Sequence, residues 1–154
     1  MASPDGRNPA NATPVQIHEM LSRGEADLYL DVRSTPEFVQ GHPAGAWHAP
    51  LLESDATGGM RPNADFARVV GAAFRKEQRI AVGCMTGRRS GQAVALLAAE
   101  GFTNLTNVAG GFGGERDPLG RVSVPGWAAS GLPVETGDGG DRGYASLRSR
   151  IQGS

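Results

Sequence analysis

The chain has 154 residues, 39% hydrophobic and 20% charged, a composition expected of one soluble domain with enough apolar material for a core. A net charge of −1 and a pI near 6.3 supply no field that would favour nucleic acid or an anionic membrane surface. The single cysteine excludes an internal disulfide. No apolar run approaches the ~20 residues of a membrane helix and Met1 to Asn11 has no signal-like apolar segment, so a cytoplasmic protein is expected.

Residues 1–12 read as a flexible polar tail. Thr13-Pro14-Val15-Gln16 is a capping-box pattern with proline at the first helical position. Ile17, Met20 and Leu21 give that helix an apolar stripe, which Gly24 is placed to end. Leu28 to Val32 is a mostly apolar run of the kind buried on both faces of a parallel sheet. Pro36 to Gln40 reads as a short helix ending at Gly41, Trp47 to Pro50 as a brief strand, and Leu51 to Arg61 as loop. Asn63 is placed to cap a helix in which Phe66, Val69, Val70, Ala73 and Phe74 recur at helical spacing. Ile80 to Gly83 is the expected central strand. Ser90 to Glu100 is a helix, apolar nearly all round and therefore expected to be largely buried, which Gly101 stops. Asn104 to Val108 is a further strand before the Gly110-Gly111 turn, and Pro125 to Ser130 a short final helix containing Trp127. Residues 137–154 turn to Gly, Asp, Arg and Ser and read as a disordered, mildly basic tail.

Strands alternating with helices predict an α/β fold with a mostly parallel sheet, in one domain over 13–136, whose ligands sit beyond the carboxyl ends of the strands. Cys84 falls at that position. It opens the run Cys84-Met85-Thr86-Gly87-Arg88-Arg89-Ser90 between the Ile80–Gly83 strand and the following helix. A lone cysteine is ordinarily a small core hydrophobe. At a helix N-terminus, however, unpaired N–H groups, the positive end of the dipole and two nearby arginines all favour a thiolate, so the sulfur is expected to be a nucleophile. Gly87 permits a ring-like loop, Arg88 and Arg89 are candidates to attract an anion, and Ser90 to bond within the loop or cap the helix. Asp31 and Arg33 read as an ion pair bracing strand ends, with Arg33 also a candidate anion contact. His18, His42 and His48 share no metal-ligand spacing, so no metal or organic cofactor is expected.

An ordered set of features carries a resemblance to the rhodanese (thiosulfate sulfurtransferase) family in its single-domain form. They are Asp31-Val32-Arg33, Glu37-Phe38, Gly41-His42, Gly45-Ala46 before Pro50, Cys84, Gly87, Arg89 and Ser90, Gly101-Phe102, Gly110-Gly111 and Gly126-Trp127. The resemblance implies a five-stranded parallel sheet with helices on both faces and a cysteine that carries a persulfide. It further implies a small sulfur-containing donor such as thiosulfate and a cyanide or thiol acceptor, protein thiols included; charge and composition, as above, predict neither nucleic acid nor membrane as partner. On this reading the amides of Met85, Thr86, Gly87, Arg88, Arg89 and Ser90 cradle the persulfide, and Arg89 occupies the commoner family position. Two departures stand out: Gly41-His42-Pro43-Ala44-Gly45-Ala46 replaces the commoner Gly-His-Ile-Pro-Gly-Ala, and residues 113–124, carrying Glu115, Arg116, Asp117 and Arg121, form an apparent insertion placed to border the mouth.

Two other functions compete. A rhodanese-like relay or binding module would pass sulfur to a protein partner with little turnover. A cysteine-based phosphatase or arsenate reductase needs an arginine after five intervening residues to grip a tetrahedral oxyanion, but that position is Ser90. The ring is one residue short, which suits a single sulfur better than a phosphoryl group.

Overall fold

The structure, a computed structural model, describes residues 10–54 and 56–152. Five strands, β1 (Asn11–Ala12), β2 (Leu28–Asp31), β3 (Trp47–His48), β4 (Ile80–Gly83) and β5 (Leu105–Val108), form one sheet in the order β1-β5-β4-β2-β3, with β4 at its centre. Every pairing is parallel: Asp31 of β2 stands opposite Gly83 of β4 on one side and His48 of β3 on the other. A parallel sheet requires cover on both faces, because the crossover helices must lie there. The residues alternate accordingly. Leu28, Leu30, Ile80 and Val82 pack with Phe66, Val69 and Val70 of α3 (Phe66–Ala73), Ala93 and Leu97 of α4 (Arg88–Ala99), and Tyr144 and Leu147 of α5 (Tyr144–Gln152). On the opposite face Tyr29 and Ala81 pack with Ile17 and Met20 of α1 (Pro14–Ser22), Phe38 of α2 (Thr35–Gln40), and Trp127.

Local chemistry sets the helix starts. At α1 the Gln16 N–H donates to Thr13 Oγ1 (3.3 Å) while Gln16 Oε1 accepts from the Thr13 N–H (2.8 Å), the reciprocal capping box the sequence predicts. At α2, Glu37 accepts from both the N–H (3.2 Å) and the hydroxyl (2.8 Å) of Ser34. α4 begins at Arg88, two residues earlier than expected, because Gly87 adopts φ +112° and turns the chain from β4 into the helix.

Several expectations are corrected. Asn11 and Ala12 are not tail but β1, hydrogen-bonded beside β5; residues 1–9 lie outside the described part. The stretch read as loop after Leu51 contains an antiparallel hairpin, Leu52–Ser54 with Met60–Pro62. Asn63 does not cap α3: Asp65 holds that position, and Asn63 instead accepts the Asp65 N–H (3.1 Å) and donates to Pro50 O and Tyr144 Oη (2.9 Å each). α4 buries only one stripe, Ser90, Ala93 and Leu97, while Leu96 is 48% exposed; its alanines favour the helix without demanding burial. Trp127 to Gly131 is a run of turns rather than a helix. The insertion forms a second hairpin, Glu115–Arg116 with Val122–Val124.

The largest difference lies at the C-terminus. In place of a disordered tail, a 3-10 turn (Gly140–Arg142) leads into α5, whose Leu147 is fully buried and Tyr144 nearly so. Tyr144, Leu147 and Ile151 recur at helical spacing, and that stripe drives docking although the surrounding composition is polar.

Candidate active site

The carboxyl ends of β2, β4 and β5 meet at the loop from Cys84 to Gly87. Cys84 leaves the end of β4, and its Sγ accepts the Gly87 N–H at 3.0 Å. Ser90, in the first turn of α4 and fully buried, sets its Oγ 3.5 Å from Sγ and donates its hydroxyl to Oδ1 of Asn107 in β5. Asn107 Nδ2 in turn donates to Asn11 Oδ1 at 3.1 Å. A chain of polar contacts thus runs from the sulfur through Ser90 of α4 to Asn107 of β5 and Asn11 of β1.

A second segment clamps the loop from outside. The Phe112 N–H donates to Cys84 O (2.7 Å) and the Gly113 N–H to Met85 O (2.8 Å). In a trans peptide the C=O and the following N–H point in opposite directions. The N–H groups of Met85 and Thr86 are therefore turned away from Phe112 and Gly113. These two, with Arg88, Arg89 and Ser90 in the first turn of α4, meet no backbone acceptor among the described residues. Gly111 makes the clamp possible: its φ is +52°, and a Cβ there would lie 2.2 Å from Cys84 O.

The arginines divide sharply. Arg89 is engaged with Glu37 of α2 by two parallel bonds, Nη1 to Oε1 (2.7 Å) and Nη2 to Oε2 (3.0 Å). That guanidinium, helped by Ser34, holds the Glu37 carboxyl down to about 2. The same pair raises Arg89 further above the usual arginine range. Arg33 is buried: Nη2 lies 2.8 Å from Asp31 Oδ2 and 2.7 Å from Gly41 O, and the guanidinium stacks 4.4 Å over the Phe112 ring. Asp31 and Arg33 thus form the ion pair at the end of β2 that the sequence suggests, and Arg33 in addition reaches the end of α2. Arg88 is exposed and makes no ion pair among the described residues.

A sequence model of the rhodanese-like domain matches residues 13–114. The chain belongs to the rhodanese-like family. Thiosulfate sulfurtransferase 16, chloroplastic, of Arabidopsis thaliana is 34% identical over 131 residues, covering 85% of this chain and 97% of that relative. Senescence-associated protein DIN1 of Raphanus sativus is 36% identical over 124 residues; these cover 80% of this chain and 60% of that longer relative. Among solved structures, Rv0390 of M. tuberculosis matches with a TM-score of 0.67 at 28% identity, covering 82% of this chain and 97% of that one. The sheet with helices on both faces is the fold the resemblance implied.

Within this rhodanese-like domain the sulfur is covered more fully than the sequence leads one to expect. Cys84 is 1% exposed and packs with the face of the sheet that carries Val82, Ala93 and Leu97. Only Gly87 of the expected ring of amides lies within hydrogen-bond distance of Sγ. The open space lies one layer out. Met85, Thr86, Arg88, Gly113, Gly114, Glu115 and Arg116 enclose a cavity of about 420 Å³, with one of about 180 Å³ beside it over Thr86, Arg88 and Asn107. Sequence reasoning missed Glu37 as the partner of Arg89 and Asn107 as the partner of Ser90; no local spacing signals either contact. No group of three or more His, Cys, Asp or Glu side chains among the described residues is arranged to hold a metal ion. No helix among them is long and apolar enough to cross a membrane.

Proposed function

We propose that this protein is a sulfurtransferase working through a persulfide on Cys84. The Cys84 thiolate attacks the outer sulfur of a donor such as thiosulfate; the donor S–S bond breaks and its electron pair leaves on sulfite. Cys84 then carries Sγ–S⁻ until a nucleophilic acceptor, cyanide or a thiol, takes the outer sulfur and returns the electron pair to Sγ. The observation that carries this reading is the Gly87 N–H, 3.0 Å from Sγ at the start of α4, in a chain of this family. The charge of the persulfide sits one bond beyond Sγ; the N–H groups of Met85, Thr86 and the first turn of α4, which meet no backbone acceptor among the described residues, are the further donors this reading assigns to it. Arg88, unpaired at the rim, steers the anion; Arg89 positions α4 against α2 through Glu37.

The test is intact mass. Incubation with thiosulfate is expected to add about 32 Da, one sulfur, cyanide to remove it with release of thiocyanate, and Cys84→Ser to abolish both. Absence of both adduct and thiocyanate would overturn the reading. The burial of Cys84 favours a second reading, a relay whose loop opens on contact with a protein partner. It is distinguished by slow loading from thiosulfate and fast loading from a protein persulfide.

A further inference from the structure

Five arginines lie at this end of the sheet, and three are neutralised: Arg33 by Asp31, Arg89 by Glu37, and Arg121 by Asp117 at 3.3 Å. The remaining two, Arg88 and Arg116, line the same 420 Å³ cavity above Met85 and Thr86. Arg116 donates from Nη1 to Gly120 O (2.8 Å), which anchors its guanidinium within the hairpin while leaving other N–H groups to bond. Opposing them is one carboxylate. Glu115 lines both this cavity and the smaller one beside it, and its side chain makes no ion pair among the described residues. The rim thus carries two positive charges and one negative, and two of the three come from the hairpin inserted between Gly113 and Val124.

We infer that this hairpin sets the charge selectivity for the sulfur donor, Arg116 attracting and Glu115 opposing an anion held over the Cys84 loop beside Arg88. The inference rests on the sulfurtransferase reading and assigns discrimination among donors by charge to two residues of the hairpin. A dianion feels each rim charge twice as strongly as a monoanion, and a neutral donor does not feel them. The charges are exposed, so each effect is modest and salt-dependent.

Binding is measured apart from transfer with the Cys84→Ser protein, which takes up no sulfur. The dissociation constant for thiosulfate is expected to rise about two- to five-fold in Arg116→Gln and to fall by a similar factor in Glu115→Gln, both changes shrinking at high salt. Tightening by Glu115→Gln cannot come from misfolding. In the Cys84 protein, a neutral alkyl thiosulfonate passes its thioalkyl group to the thiolate with sulfinate leaving; this rate is expected to be the same with and without either substitution. Equal effects on the neutral and dianionic reagents, or no tightening by Glu115→Gln, would overturn the inference. If thiosulfate binding follows the charges but wild-type Cys84 gains no sulfur, the charge assignment stands and the proposed function fails.

Discussion

Replacing Glu37 by glutamine tests the contact that withdraws Arg89 from the mouth. Glu37 accepts four hydrogen bonds, two from Arg89 and two from Ser34. Glutamine keeps one acceptor oxygen but turns an NH2 group toward a guanidinium, so a donor faces a donor. Depression of the carboxyl from 4.5 to about 2 corresponds to at most about 3 kcal/mol of pH-linked stability. The side chains are 22% and 29% exposed, and screening reduces the expected loss to about 1–2 kcal/mol. The sign follows from the direction of the shift. A carboxyl held below its unfolded value stabilises the fold above pH ~4.5, and that stability is lost as pH falls toward ~2. Urea denaturation of both proteins from pH 7 to pH 3 reads the difference, which is expected to be constant near neutrality and to shrink in acid. A difference independent of pH, or one below about 0.3 kcal/mol at pH 7, would refute the assignment of Glu37 as a charged tie between α2 and α4.

Gly111→Ala is expected to cost about 2–4 kcal/mol and to reduce sulfur loading of the folded fraction, because φ is +52° and the new Cβ would meet Cys84 O at 2.2 Å. Thermal denaturation together with intact-mass loading checks it; full loading at wild-type stability would refute the clamp. Leu147→Ala in α5 removes a fully buried side chain and is expected to cost about 2–4 kcal/mol by chemical denaturation, whereas no change would return these residues to a free tail.

What was legible in the sequence is what depends on near neighbours. The strand, the Gly87 turn and the helix that carry Cys84 are contiguous, so their order alone placed the sulfur at the end of the central strand. The capping box at Thr13 is likewise local. The assignment of the arginines was not legible. Arg88 and Arg89 differ by ~100° around the helix axis, and only Glu37, 52 residues away, decides which one is withdrawn. The partner of Ser90 lies 17 residues away on β5. The C-terminal helix was hidden because a polar average over residues 137–154 conceals three apolar side chains at one face. The burial of Cys84 was missed for a related reason: it packs with core residues such as Ala93 and Leu97 of the following helix, which local spacing does not reveal.

That clamp links the parts of the site. Phe112 and Gly113 take the carbonyls of Cys84 and Met85, so the loop presents its N–H groups on the other side; two residues further on, the same strand of chain becomes the hairpin that carries Glu115 and Arg116. Gly126 holds the far end close, since a Cβ there would stand 2.4 Å from the Gly114 nitrogen. One stretch of backbone therefore fixes the carbonyls of the Cys84 loop and carries the charges on its rim. Changes to the hairpin's charges leave these backbone contacts in place, whereas changes at Gly111 or Gly126 disturb both together. For the proposed sulfur transfer, substitutions at Glu115 and Arg116 are thus the ones expected to change donor binding while leaving the Cys84 loop as it is.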